Sequence, residues 1–485
     1  MSLAKKTTVG VIWNFAEMMS KRGISVLITI LLARFLTPDD YGLIAMMAVF
    51  TTVATELMES GFRQAVIRKE NATQVDFNTA FYSNIAMGIL AYTALFLSAP
   101  LISSFYEEPR LTLLIRVVGV TILISSLQVV QSSILNRELR FKSQLQVTIP
   151  ATVVSGTIAV IMAYSGFGVW ALISQMIVFS ILVTIFLWTL KLWRPTREVS
   201  RESFNEMYTF GSRIFISNLL SIIFNNIYVI VIAKIFAAAV AGQYFFARKI
   251  RDLALTQFIN TIQVVTYPAL SKLQDDEVAL KSGYRKIVKI TTYLTSPGML
   301  FLAVLAEPFF VLALNEKWLP AVPYLQLLCL GGLMGPLHSI NLNILQVKGR
   351  SDLLLYIGIF KKIITLVILY ATIKYGVIGI LIGQVINSVI SYVPNSYYSD
   401  KLISYSTSEQ MADFIPSLLL SGAIAAVIYF VLDMVVLPAY IELFVLGTLG
   451  IIAYIGGSYI FKLEAIKLVQ KIVTDLFAKG KKSKT

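Results

Sequence analysis

Apolar stretches long enough to cross a lipid bilayer recur from one end of this chain to the other, and no other feature limits its fold so severely. A hydrocarbon core of ~30 Å takes ~20 helical residues. Stretches near that length fall at 8–34, 41–60, 79–99, 110–135, 145–164, 167–190, 208–235, 242–265, 287–313, 320–346, 353–373, 376–397, 414–432 and 440–461. They are continuous, whereas membrane-spanning strands would alternate apolar and polar positions over ~10-residue segments. Only 14% of the residues are charged, against about a quarter in an average soluble domain. The chain therefore reads as an all-α integral membrane protein of about fourteen membrane-spanning helices.

The residue inventory narrows the chemistry. There is no GxxxxGK[ST] phosphate loop, so direct use of ATP is not expected. One cysteine, Cys329, and one histidine, His338, cannot supply a disulfide framework, a metal site or a Cys-His nucleophile, and no metal is expected. The acidic runs Asp39-Asp40, Glu107-Glu108 and Asp275-Asp276-Glu277 lie between apolar stretches and read as solvated turns. No extramembrane segment is long enough to hold a catalytic site, so no enzyme activity is expected. The formal net charge of +14 would suit nucleic acid only if the basic residues gathered on one soluble face. They lie instead in loops between apolar runs, which excludes nucleic acid as a partner. Glu17, Lys21 and Arg22 occupy what would be the apolar region of a signal peptide, so the first stretch reads as a retained span.

Loop charges orient the chain. Of its 41 Lys and Arg residues, 27 fall on one side of the spans and four (Arg34, Arg110, Lys317 and Lys374) on the other. The positive-inside rule then places both termini in the cytoplasm, as an even number of spans requires. The organisation expected is an N-terminal lobe of six spans (1–190), a basic cytoplasmic linker (191–207), a second six-span lobe (208–397), two additional spans (398–461) and a basic cytoplasmic tail (462–485). Short matches suggest that the lobes are parallel repeats: Ala33-Arg34 with Gly42 against Ala233-Lys234 with Gly242, SILNRELR (133–140) against NILQVKGR (343–350), and GFGVWAL (166–172) against KYGVIGI (374–380).

Ten basic residues fall inside the spans, where a charge is costly and marks a pathway or an ion pair. In the first span Asn14, Glu17, Lys21 and Ser25 follow helical spacing. In the seventh, Arg213, Ser217, Ser221 and Asn225 recur every fourth residue. The eighth places Arg248, Arg251 and Asp252 on one face, and the second carries Thr52, Glu56 and Glu59. These four helices would wall a hydrophilic cavity with a surplus of positive charge, suited to a polyanion. Glu17, Glu56, Glu59, Asp252 and His338 are the candidates for carrying a coupling proton.

LARFLTPDDYGLIAMM (32–47) resembles the LAR-x-L-x-P-x-x-Y-G turn of Wzx-type polysaccharide exporters of the MOP flippase superfamily, and GFRQAVIRKENAT (61–73) and FGVWAL (167–172) are similar to other parts of that pattern. The colanic-acid, teichuronic-acid and succinoglycan exporters are the type it is most similar to. That resemblance implies two six-helix lobes in a V around a cationic central cavity, two extra helices, and an undecaprenyl-pyrophosphate-linked oligosaccharide as cargo, flipped outward by alternating access. It also implies H+ or Na+ coupling with no bound cofactor, and residence in the bacterial inner membrane. Polysaccharide polymerase and glycosyltransferases are the protein partners expected, beside membrane lipids. On this reading Lys21, Arg22, Arg213, Arg248 and Arg251 bind the diphosphate, while Asn14, Asn218, Asn225, Asn226 and Asn260 offer hydrogen bonds to sugar. A peptidoglycan-precursor flippase would need the same anion site. A drug or cation antiporter of related architecture would need an anionic or apolar one.

Overall fold

Capping chemistry at the loop ends sets where many of the helices begin. The computed structural model describes residues 23–271, 273–435, 437–471 and 474, and for 256–269 and 271 the backbone alone. Two compact units divide between Phe245 and Phe246. The first contains α1 (Gly23–Phe35), α2 (Pro38–Glu59), α3 (Phe62–Arg68), α4 (Gln74–Tyr106), α5 (Arg110–Ser126), α6 (Val129–Arg137), α7 (Phe141–Tyr164), α8 (Val169–Thr189), α9 (Arg201–Asn225) and α10 (Ile227–Ile235). α11 (Ala238–Ser271) begins in the first unit and continues in the second. The second goes on through α12 (Glu277–Val304), α13 (Ala306–Ala313), α14 (Val322–Gly332), α15 (Gly335–Val347), α16 (Ser351–Thr372), α17 (Gly376–Ile403), α18 (Thr407–Met434), α19 (Ala439–Ile441) and α20 (Gly447–Ile460).

The protein is an all-helical multi-pass membrane protein. Among the described residues ten helical stretches are long and apolar enough to cross a bilayer, and α5 with α6, bent by 50°, makes an eleventh. One of the ten, Ser351–Ile403, holds both α16 and α17, which pack against each other. α11 stands outside that tally at 34 residues, with Arg248, Lys249, Arg251 and Asp252 along it. The total is consistent with fourteen spans. Several spans expected as single helices are broken. Asn226 interrupts the seventh between α9 and α10, its amide donating to the Ile222 carbonyl at 2.9 Å, a local bond that competes with the helical ladder. The tenth breaks before α15, where Pro336 cannot donate to the preceding turn.

Capping boxes start α2 (Thr37 with Asp40), α4 (Thr73 with Asp76) and α18 (Ser406 with Glu409). The acidic pairs turn out to be structural. Arg110 bonds Asp39 at 2.8 Å and Glu108 at 2.7 Å, and Lys234 bonds Glu107 at 2.7 Å. Hydrogen bonds from Arg110 hold the Glu108 carboxyl below the usual carboxylate range.

The segment between α8 and α9 is docked along α4. Asn78 donates to the Thr196 hydroxyl at 2.6 Å and accepts from the Thr196 amide at 3.1 Å. Gln74 donates to the Arg194 carbonyl at 2.7 Å, and the Ser200 amide donates to Thr79 at 3.0 Å. Trp193 and Met207 are buried with Phe62 and Phe81 in one apolar cluster, so the start of α9 is fixed to α3 and α4.

In the second unit Asp413 of α18, only 4% exposed, accepts from Arg285 at 2.8 and 2.9 Å, from Tyr405 at 3.0 Å and from Lys289 at 3.2 Å. Removing one partner of a fully buried ion pair costs about 3–5 kcal/mol. Because Arg285 and Lys289 both reach solvent, Asp413→Ala is expected to destabilise by about 2 kcal/mol. Thermal melting of the purified protein checks this, and Asp413→Asn should recover part of the loss.

Candidate functional site

Seven polar residues follow one another at every fourth position of α9: Arg201, Asn205, Thr209, Arg213, Ser217, Ser221 and Asn225. All seven are exposed. Four residues overshoot a helical turn by ~40°, so this stripe winds around the helix instead of facing one direction throughout. In a membrane-spanning helix such a stripe needs water or a polar ligand beside it. Arg213 also lines a cavity of about 910 Å³ whose wall includes Arg68, Lys69, Arg201 and Phe210.

Two acidic residues of α2, Glu56 and Glu59, meet α9 and α3 respectively. Asn218 donates to Glu56 at 2.7 Å, so one sugar-binding candidate and one proton-carrying candidate are hydrogen-bonded to each other. Glu59 is ion-paired with Arg63, which also donates to Ser132 at 3.1 Å. Asn225 is exposed at the end of α9, and Asn226 is bonded into the break that follows.

In the second unit, Arg251 binds Asp252 at 2.6 Å, and Arg248 lies 3.6 Å from the other oxygen of that carboxylate. A rise of ~1.5 Å per residue puts Arg251 roughly 20 Å along α11 from its start. Its side chain is 15% exposed, and its Nε is buried without a hydrogen-bond partner among the described residues. Its stem lies beside Gly332 of α14, where a Cβ would be 3.5 Å from Arg251 Cδ. Within residues 248–252 three cations stand against one carboxylate.

His338 is held on both ring nitrogens, Nε2 at 2.9 Å from the Ser388 carbonyl and Nδ1 at 3.0 Å from the Asn395 amide. That environment fits the neutral Nε2–H tautomer, which donates to the carbonyl and accepts from the amide.

Asn14, Glu17, Lys21 and Arg22 lie outside the described residues, and so does the side chain of Asn260. The sequence reading began the α9 stripe at Arg213 and treated Arg68, Lys69 and Arg201 as loop charges. The signal that would have joined Arg201 is the same four-residue step, which runs back through Thr209 and Asn205 to it, whereas Arg68 and Lys69 are brought there by packing alone.

Residues 31–323 match a family model described as polysaccharide biosynthesis protein. The lipopolysaccharide biosynthesis protein WzxC of Escherichia coli (strain K12) is 25% identical over 399 residues, covering 81% of this chain and 81% of the relative. The succinoglycan biosynthesis transport protein ExoT of Rhizobium meliloti (strain 1021) is 22% identical over 388 residues, 80% of this chain and 77% of the relative. Among solved structures, the inward closed conformation of the lipid II flippase MurJ superposes with a TM-score of 0.73 at 16% identity, covering 94% of this chain and 100% of that one. This last likeness is one of fold.

Proposed function

Because this chain belongs to the polysaccharide biosynthesis protein family, we propose that it flips an undecaprenyl-pyrophosphate-linked oligosaccharide repeat unit from the cytoplasmic to the outer leaflet of a bacterial inner membrane, for surface polysaccharide synthesis. The observation that carries this reading is the Arg248, Lys249, Arg251 and Asp252 cluster on α11, a surplus of positive charge on a membrane helix. Related proteins named for lipopolysaccharide biosynthesis and succinoglycan transport support it, as does a fold shared with a lipid flippase.

The physical task is to move a sugar head and a diphosphate through hydrocarbon. Each hydroxyl stripped of water without a new partner costs several kcal/mol, roughly 2–7. A polar path through the protein removes most of that barrier while the polyprenyl tail stays in lipid. In this scheme Arg248 and Arg251, with Arg213, Lys21 and Arg22, neutralise the diphosphate, and Asn14, Asn218, Asn225, Asn226 and Asn260 replace water at the sugar. An inside-negative potential favours outward movement of an anion by ~2.3 kcal/mol per charge per 100 mV. Inward movement of H+ or Na+, with Glu17, Glu56, Glu59, Asp252 or His338 as carrier, would add to that drive.

The test is a proteoliposome assay with fluorescent undecaprenyl-pyrophosphate-linked oligosaccharide, scored by accessibility to an enzyme that cannot cross the membrane. Protein-containing vesicles are expected to expose the inner pool within minutes, while protein-free vesicles do not. Failure to move this lipid, with transport of an organic cation instead, would replace the reading with a drug antiporter. A preference for the peptidoglycan lipid precursor would replace only the cargo.

A further inference from the structure

We propose that the cavity between α3 and the first turns of α9 is a docking site for a phosphate-bearing lipid headgroup, where cargo is held before it enters the membrane path. This rests on the transport reading above and adds to it a place of capture. The cavity, about 910 Å³, is lined by Arg68, Lys69, Arg201 and Arg213 against two carboxylates, Glu202 and Glu206. Lys69 is committed within the protein, bonded to Asp76 at 3.0 Å and to Glu206 at 2.8 Å. Those hydrogen bonds, that to Glu206 first, raise its pKa and keep it charged.

The three arginines are placed differently. Arg68 lies with its guanidinium carbon 4.6 Å from the centre of the Phe210 ring, a contact that orients the planar fork without neutralising it. Arg201 and Arg213 have no carboxylate within ion-pair distance among the described residues. Twelve residues apart on one helix, they are separated by roughly 18 Å along its axis. Guanidinium groups bind phosphate oxygens in parallel pairs of hydrogen bonds, and two elements deliver three of them to one concavity.

The surroundings favour a lipid over a soluble phosphate. Beside the polar stripe α9 exposes Tyr208 (48%), Ile216 (59%) and Leu220 (48%) at helical spacing. A headgroup in the cavity can therefore leave its hydrocarbon tail against an apolar strip of the same helix. The start of α9 cannot swing away, because the preceding segment is bonded to Asn78, Thr79 and Gln74 and packed through Trp193 and Met207. A dock of this kind is preformed, which limits the entropy lost on binding.

Two lipids share the required chemistry, a polyprenyl pyrophosphate and an anionic phospholipid. Binding of undecaprenyl pyrophosphate and of phosphatidylglycerol to the full-length protein in zwitterionic nanodiscs separates them, with inorganic pyrophosphate as the tailless probe. Arg68→Ala/Arg201→Ala is expected to weaken binding of the responsible lipid at least about tenfold, with Arg213→Ala adding to the loss. Arg201→Lys, which keeps the charge but not the fork, should recover part of it. Loss confined to undecaprenyl pyrophosphate identifies cargo as the ligand, whereas equal loss for both lipids shows a general phosphate-headgroup site and overturns cargo capture. Unchanged binding of both lipids by a double variant that melts like the parent overturns the proposal. If the alanine variants do not fold, the same comparison with Arg68→Gln and Arg201→Gln decides it. Intact flipping with unchanged lipid binding removes the dock alone. A parent protein that binds lipid here but does not flip it removes the transport reading and leaves the dock.

Discussion

The double variant Arg248→Glu/Arg251→Glu is expected to lose transport of a pyrophosphate-linked oligosaccharide by at least about 100-fold, because two charge-assisted hydrogen bonds worth about 1.5–3 kcal/mol each are removed together. The geometry makes the effect larger than a surface charge change would be. Arg251 is 15% exposed and Arg248 23%, so solvent screens them weakly. Asp252 is the carboxylate both arginines face, and two new glutamates beside it would create three negative charges within five residues. An anion approaching that segment would then be repelled. Transport rate in proteoliposomes is the measurement, read beside thermal melting of the same preparations. A variant that folds and transports normally would show that α11 does not touch the cargo. Arg251→Lys keeps the charge and should retain more transport than Arg251→Gln, an order that a purely structural role would not require.

Gly242→Val is expected to destabilise the protein by more than 3 kcal/mol, above the roughly 1–3 kcal/mol usual for overpacking. An ideal Cβ on Gly242 would sit 1.8 Å from the Pro38 carbonyl oxygen and 2.7 Å from the Gly42 amide nitrogen. The reciprocal position is as tight, since a Cβ on Gly42 would be 1.9 Å from the Ala238 carbonyl oxygen. Both obstacles are backbone, so no rotamer change relieves them, and α2 and α11 would have to separate where they cross. Close backbone approach through small residues is a principal source of cohesion between membrane helices. Gly358→Ala in α16 is the matched control. Among the described residues no atom outside the local backbone lies within 4 Å of its Cβ position, and replacing a mid-helix glycine with alanine should be neutral or stabilise by roughly 0.5–1 kcal/mol. Melting temperature and folded yield should fall for Gly242→Val and hold or rise for Gly358→Ala.

Much of the architecture was legible because its cause is local. A run of apolar residues is forced into a helix by lipid whatever its neighbours are, so the spans near 41–60, 79–99, 145–164 and 167–190 reappear as α2, α4, α7 and α8. Breaks at Asn226 and before Pro336 were less visible, because hydropathy averages over them. The turn at 32–47 carried the resemblance to the family, and its Thr37 and Asp40 build a capping box that depends on spacing alone. Gly42 and Gly242 were read as a mark of duplication, 200 residues apart. Their direct contact could not be read, because it depends on how two helices cross.

The candidate site divides along the same line. Sequence alone determined that cations interrupt the apolar stretches and that polar residues step along α9, because charge and periodicity are properties of the chain. Tertiary structure decided which of them are engaged. Glu59 is bound to Arg63, Glu56 to Asn218 and Lys69 to Asp76 and Glu206, while Arg68, Arg201 and Arg213 line one cavity. An ion pair needs two groups within a few ångströms, and residues such as Lys69 and Glu206, 137 positions apart, are brought that close only by packing.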